Sequence, residues 1–193
     1  FLFCQNLTAQ TLILNDDKLI DDRAKEKINQ IGAETKSKLG VNIYLYTKST
    51  LGLDENIKTK DKIEFIKNHE NQLLTTLEKP YVFLSVSVEE THVNLLFSDE
   101  FKNILDKDDI LNGYVVPLLA SKDKNTVASK VSASILNGYA AVADKLADSK
   151  NIKLESNIGN QGRVASTIWR VFIYFVLLSA LLAYIYAILR KRK

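Results

Sequence analysis

The chain has 193 residues, 46% of them hydrophobic and 25% charged, a mixture that suits one folded domain with additions. Its formal charge of +3 includes Arg190, Lys191, Arg192 and Lys193, so residues 1–189 carry about −1 and offer no concentrated basic face for nucleic acid. Cys4 is the single cysteine, which excludes an intramolecular disulfide and argues against a cysteine-based metal set.

With no methionine even at position 1, the chain is expected to begin downstream of its initiator. Residues 1–9, FLFCQNLTA, read as the remnant of an export signal, an apolar run closing on the small residue Ala9. A buried N-terminal strand is the competing reading. Residues 10–150 then read as one exported domain. Asp16 or Asp17 can cap a helix running to Leu39, with Asp21 and Asp22 in its early turns and Ile20, Ala24, Ile28, Ile31 and Leu39 on one face. Gly40 is a natural stop. Val41 to Tyr46 alternates β-branched and aromatic residues and predicts a strand. A second helix is predicted over about 60–77, its buried face made by Ile63, Ile66, Leu73 and Leu77. Tyr81 to Val88 is the strongest predicted strand, Glu89-Glu90-Thr91 a turn, and His92 to Ser98 a hairpin partner. Helical pieces follow near 100–105, 110–120 and 125–147, the last with Val127, Val131, Ile135, Val142 and Leu146 on its apolar stripe. Burying these faces gives an α/β fold, a small three- to four-stranded sheet covered by helices.

Residues 151–168 are polar and read as a linker. Residues 169–193 read as one C-terminal transmembrane helix with a short basic tail. Val171 to Leu189 is uncharged, and its nineteen residues rise about 28 Å against a hydrocarbon core of roughly 30 Å. Trp169, Arg170, Tyr174, Tyr184 and Tyr186 are expected as membrane-interface anchors together with Arg190, Lys191, Arg192 and Lys193. By the positive-inside rule the tail is cytoplasmic, which makes this a single-pass inner-membrane protein with its domain in the periplasm or outside. Ser179, Ala183 and Ala187 recur every four residues and form a stripe on which a partner helix could pack.

Signals for chemistry are sparse. His69 and His92 stand in no metal-binding spacing and are expected at the surface. There is no GxSxG nucleophile elbow and no phosphate-cradling glycine loop. Acidic pairs occur at Asp16-Asp17, Asp21-Asp22, Glu89-Glu90 and Asp108-Asp109. Asp16, Asp17, Asp21 and Asp22 are the candidate metal ligands, because a hard cation needs several converging oxygens, although helix capping explains them as well.

Three stretches carry a resemblance to a family: Lys38-Leu39-Gly40-Val41-Asn42-Ile43-Tyr44-Leu45-Tyr46, where a helix ends in glycine and a hydrophobic strand follows; Tyr81-Val82-Phe83-Leu84-Ser85-Val86-Ser87; and the hairpin strand with its helical sequel containing Ile135-Leu136-Asn137-Gly138-Tyr139. In these the chain resembles the TPM-domain family, exported or lumenal α/β domains often followed by a C-terminal membrane anchor, over about residues 12–149. The turns read Glu78-Lys79-Pro80, Glu89-Glu90-Thr91 and Ser98-Asp99-Glu100 and depart from the family pattern, so no phosphatase residues carry across. The resemblance implies the fold and, for activity, either an acid phosphatase or metal binder or an accessory factor for assembling or repairing membrane complexes. The expected function is that of a membrane-anchored, non-enzymatic protein that binds an integral membrane complex, for example a respiratory complex or an ion-driven motor stator, and stabilises it or helps it assemble. The competing expectations are a metal-dependent acid phosphatase-like hydrolase using Asp16, Asp17, Asp21 or Asp22, and an exported module binding a small ligand at the strand ends. No cofactor is expected beyond a divalent cation at those aspartates.

Overall fold

Two parallel strands with apolar residues on both faces set the architecture, because each face needs its own cover of helices. The computed structural model describes residues 12–54, 56–156, 158 and 173–179. Contacts divide the chain into two units, Phe1–Asn157 and Ile158–Lys193.

In the first unit the order is β1 (Ile13–Asn15), α1 (Asp22–Leu39), β2 (Asn42–Lys48), α2 (Thr59–Leu74), β3 (Tyr81–Ser87) and β4 (His92–Phe97). A 3-10 turn at Asp99–Phe101 leads to α3 (Lys107–Ile110), a π turn at Leu111–Val115, α4 (Val116–Leu119) and the long α5 (Val127–Ser149). The sheet order is β1-β2-β3-β4. β2 runs parallel to β1 and to β3, the latter in unbroken register from Asn42–Tyr81 to Lys48–Ser87. β4 returns antiparallel, pairing Val82 with Phe97 through Ser87 with His92. The α/β sheet with helical cover is thus as expected, with a mixed four-stranded sheet.

Local chemistry explains the boundaries. Asp21, rather than Asp16 or Asp17, caps α1, accepting the Ala24 N–H at 3.0 Å. The residues before it form a turn with left-handed backbone at Asp17 and Lys18, and the Leu19 N–H returns to the Asp16 carbonyl at 2.8 Å. At the other end Gly40 adopts φ 72° and donates to the Lys36 carbonyl at 3.0 Å. Thr126 caps α5 by accepting from the Ser129 N–H.

α1 and α5 cover one face of the sheet. Ile28, Ile31, Ile43, Leu45, Val82, Leu84, Ile135, Tyr139 and Val142 form the centre of this core. Fully buried Tyr139 donates its hydroxyl to the Ile43 carbonyl at 2.9 Å, and burial pushes its pKa up. After α5 the chain folds back over the end of α1: Leu154 is buried, and Glu34 accepts from the N–H groups of Glu155 at 2.9 Å and Ser156 at 2.7 Å. Burial raises the Glu34 pKa, but hydrogen bonds from Lys38, Ser156 and Glu155 together outweigh it and lower the carboxyl to about 2.

The expected membrane helix is corrected here. Among the described residues no helix is long and apolar enough to cross a membrane. Within the expected span the described residues are 173–179, and they are helical. The described fold is an α/β unit with a mixed four-stranded sheet, and the expected transmembrane helix and single-pass inner-membrane location are not supported by the described residues. Of the expected anchors, Tyr174 is exposed in this helix, and Ser179 of the small-residue stripe donates to the Val176 carbonyl at 2.9 Å. Trp169, Arg170, Ala183, Tyr184, Tyr186, Ala187 and Arg190 to Lys193 lie outside the described residues, as does the expected export-signal remnant at 1–9.

Gly32 is where α1 approaches most closely. A Cβ there would overlap Leu12 Cδ1 and the Tyr139 hydroxyl. Gly32→Ala is expected to lower stability by about 1–3 kcal/mol through this overpacking, against the small gain in helix propensity usual for glycine to alanine. Urea unfolding of the two proteins decides it; an equally or more stable variant would mean that the contact relaxes freely.

Candidate functional site

The second face of the sheet is covered by α2, and much more thinly. Tyr44, Tyr46, Tyr81 and Phe83 project to this side with Leu12, met by Leu51, Leu73, Leu74 and Leu77. Only Ile66 and Glu70 of α2 are buried. Ile63, expected on the buried face, is 61% exposed, and Phe65 is 43% exposed. One helical turn of α2 therefore sets a carboxylate, rather than an aliphatic side chain, against the sheet.

Glu70 is 5% exposed. Its Oε1 accepts from the Ser85 hydroxyl at 2.5 Å and lies 2.9 Å from His92 Nε2, while its Oε2 accepts from Asn94 Nδ2 at 2.6 Å. Asn94 Oδ1 in turn accepts from the Leu95 N–H at 3.0 Å and from Lys107 Nζ. The strand register makes this possible, because Ser85 is paired with Asn94 and Ser87 with His92, so four polar side chains share one face of the hairpin. Burial raises the Glu70 pKa, yet the donors from His92, Ser85 and Asn94 outweigh it and hold the carboxyl below its ordinary value.

Beside this hub His69 Nε2 lies 3.0 Å from the Tyr46 hydroxyl, and the Phe65 ring stacks on the His69 ring at 6.4 Å. Burial pushes the Tyr46 pKa up. A cavity of about 10 Å³, room for about one water molecule, is lined by Tyr46, His69, Glu70, Ser85, Ser87 and His92. It sits towards the carboxyl ends of the parallel strands, where open α/β sheets place their ligand sites. Among the described residues the Ser87 hydroxyl is buried without a partner. Nearby Glu90 bridges the loops after β2 and β3, its Oε1 accepting from the Leu51 N–H at 2.8 Å and the Thr50 hydroxyl at 3.3 Å, while its Oε2 is buried without a partner.

The four aspartates singled out in the sequence have other employment. Asp16 pairs with Lys25; Asp17 accepts from the Ser49 N–H at 2.7 Å; Asp21 caps α1 and accepts from the Ser132 hydroxyl; Asp22 stands 3.8 Å from Lys25. Hydrogen bonds from Lys25, Ser49 and Ser132 respectively lower the pKa values of Asp16, Asp17 and Asp21. Among the described residues no group of three or more His, Cys, Asp or Glu could hold a metal ion, so these carboxylates do not converge as the cation reading requires. The expectation that both histidines are mere surface residues is also revised, since each is hydrogen-bonded and neither is fully exposed.

Glu70 was not anticipated. Its signal is the apolar spacing Ile66, Glu70, Leu73, Leu77, in which a charge takes a stripe position, opposite a strand that places Ser85 and Ser87 among apolar residues.

No protein-family model matches the chain, and no curated protein matches it either. Among solved structures it is similar to the N-terminal domain of a protein from P. gingivalis, determined by solution NMR, with a TM-score of 0.54 and 12% identity over 75% of this chain and 87% of that one. The fold is shared. At this identity the likeness extends to the fold alone.

Glu70→Ala is expected to cost about 3 kcal/mol in urea unfolding, because three donors lose a buried acceptor. The ionised carboxyl stabilises the fold above its ordinary value of 4.5, and that contribution disappears as pH falls through the lower folded-state value. The stability gap between wild type and Glu70→Gln should therefore be widest near neutral pH and shrink below about pH 4.5. A gap that stays constant down to about pH 3 would show that the charge itself contributes nothing.

Proposed function

We propose that the α/β unit is a TPM-type domain and works as a non-enzymatic accessory module, binding a client protein complex to aid its assembly or protect it. The family assignment draws on the helix-glycine-strand stretch at 38–46, the central strand at 81–87, and the fold shared with the P. gingivalis domain. The client class that follows from the resemblance is an integral membrane complex, met by this unit from outside the bilayer.

One observation carries the non-enzymatic reading. In the buried polar centre Ser85 and His92 both terminate on the same Glu70 oxygen. A hydrolytic relay needs the hydroxyl on the histidine and the histidine on the carboxylate, so that a proton leaving the nucleophile has a base to receive it. Here the carboxylate gathers hydrogen bonds and the hydroxyl has no base other than that carboxylate. Such an arrangement holds α2 to the hairpin. This supports a structural role for the cluster rather than a hydrolytic relay.

The test pairs two measurements on the full chain. Purified protein should hydrolyse p-nitrophenyl phosphate no faster than blank across acidic to neutral pH with Mg²⁺, Ca²⁺, Mn²⁺ or Zn²⁺, and tagged protein should bring down a stoichiometric partner complex from its source cells. Turnover that falls with Asp16→Asn or Asp21→Asn would replace this reading with the metal-dependent hydrolase.

A further inference from the structure

β4 ends the sheet, and the way it ends is specific. The Ser98 N–H bonds the Tyr81 carbonyl at 3.0 Å, and bonded pairs alternate along an antiparallel ladder. Phe83–Leu96, Ser85–Asn94 and Ser87–His92 are therefore the pairs that exchange hydrogen bonds with β3. Val93, Leu95 and Phe97 turn their N–H and C=O groups to the outer edge, where no further strand pairs among the described residues. The Leu95 N–H is taken by Asn94 Oδ1 at 3.0 Å, an oxygen standing where an incoming carbonyl would stand.

Alongside this edge runs a groove of about 330 Å³ between α2 and β4, walled by Ile63, Ile66, Lys67, Asn71, Asn94 and Leu96. Ile63, Ile66 and Leu96 supply its apolar lining, while Glu70, Asn94 and His92 supply polar groups that already bond one another. Lys67 is exposed on the α2 wall, and Lys107 reaches Asn94 from α3. Neither lysine is in an ion pair with a carboxylate among the described residues, while Asp109 pairs with Lys145 at 2.8 Å and Asp106 caps α3.

We propose that this groove takes an extended peptide segment of a partner protein, added as a fifth strand beside β4, with alternate apolar side chains over Ile63, Ile66 and Leu96 and an acidic side chain answering Lys67 and Lys107. Main-chain bonds to Val93, Phe97 and the Leu95 carbonyl supply register and affinity, and the groove and lysines supply selectivity. This deepens the accessory reading above and rests on it, because it names how the client is held.

The experiment pans the full-length chain against a display library of random ten-residue peptides, then measures the enriched peptides by calorimetry. Enriched sequences should alternate apolar residues around at least one Asp or Glu. Methylating every second backbone nitrogen of such a peptide should weaken binding about tenfold or more in one of the two registers and little in the other, since only one register faces the strand. Lys67→Glu, a change at an exposed side chain, should weaken the same peptides about fivefold or more and leave thermal stability unchanged. Because the methyl groups are on the peptide, a misfolded variant cannot imitate that result.

Absence of enrichment, or equal affinity of both methylated registers, overturns strand addition. If a client complex still co-purifies in that case, the accessory reading stands and only its docking mode falls. Peptide binding as expected without any co-purifying complex keeps the groove and removes the accessory role.

Discussion

A carboxylate placed under a helix governs this structure. Isolated, the Glu70 charge would cost several kcal/mol to bury, since removing an ion from water is repaid only by charge partners and hydrogen bonds of good geometry. The hairpin provides that geometry because Ser85, His92 and Asn94 present donors on one face of two paired strands. The position of α2 is thus fixed by direction-dependent bonds at Glu70 together with apolar contact at Ile66, Leu73 and Leu74. A helix held in this way need not lay its apolar residues on the sheet, and Ile63 and Phe65 stand away from it. The groove along β4 is a consequence, the space left when one contact row of α2 is polar and short-ranged.

The opposite face follows the other logic. α1 and α5 meet the sheet through Ile28, Ile31, Ile135, Val142 and their neighbours, and the fit is tight enough that Gly32 and Gly138 have no room for a Cβ. Close packing of this kind resists displacement, because sliding either helix opens voids. The sheet therefore has a rigid side and a side whose cover hangs on one ionic hub. Recognition belongs more naturally to the second, where a bound segment can fill unused surface without competing with a filled core.

Much of the fold was legible because its determinants are local. The Gly40 stop and the β-branched and aromatic runs at 41–46 and 81–88 identify the end of α1 and the strands β2 and β3 from spacing alone, with strand ends moved by a residue or two. β1 escaped because three residues beside an apolar N-terminal run carry no period of their own, and their strand state depends on pairing with Leu45 and Tyr46. The helix cap was displaced from Asp16 or Asp17 to Asp21 because left-handed backbone at Asp17 and Lys18 makes a turn first. The site was hidden for a different reason. A charge on a helix reads as a solvated face, and only the pairing of Ser85 with Asn94 and Ser87 with His92 converts Glu70 into a buried acceptor. Nonlocal register of that kind is absent from any window of sequence. The membrane helix was inferred from apolar composition over 171–189, and composition alone specifies neither helix length nor surroundings.

The two sheet edges finally show why one of them suits a partner. β1 is three residues long with an irregular register, and an edge so short offers few bonds to any strand. β4 is six residues long and regular, the kind of edge that invites unwanted pairing unless something discourages it. Lys67 and Lys107 are that discouragement for a second copy of the same chain. Two β4 edges brought together would bring two pairs of lysines near one another. An acidic strand meets the opposite situation, since the same lysines attract it. On the strand-addition proposal, a single pair of charges would disfavour self-association and favour an acidic partner strand, which is how specificity arises when attraction to one strand and repulsion of another share the same residues.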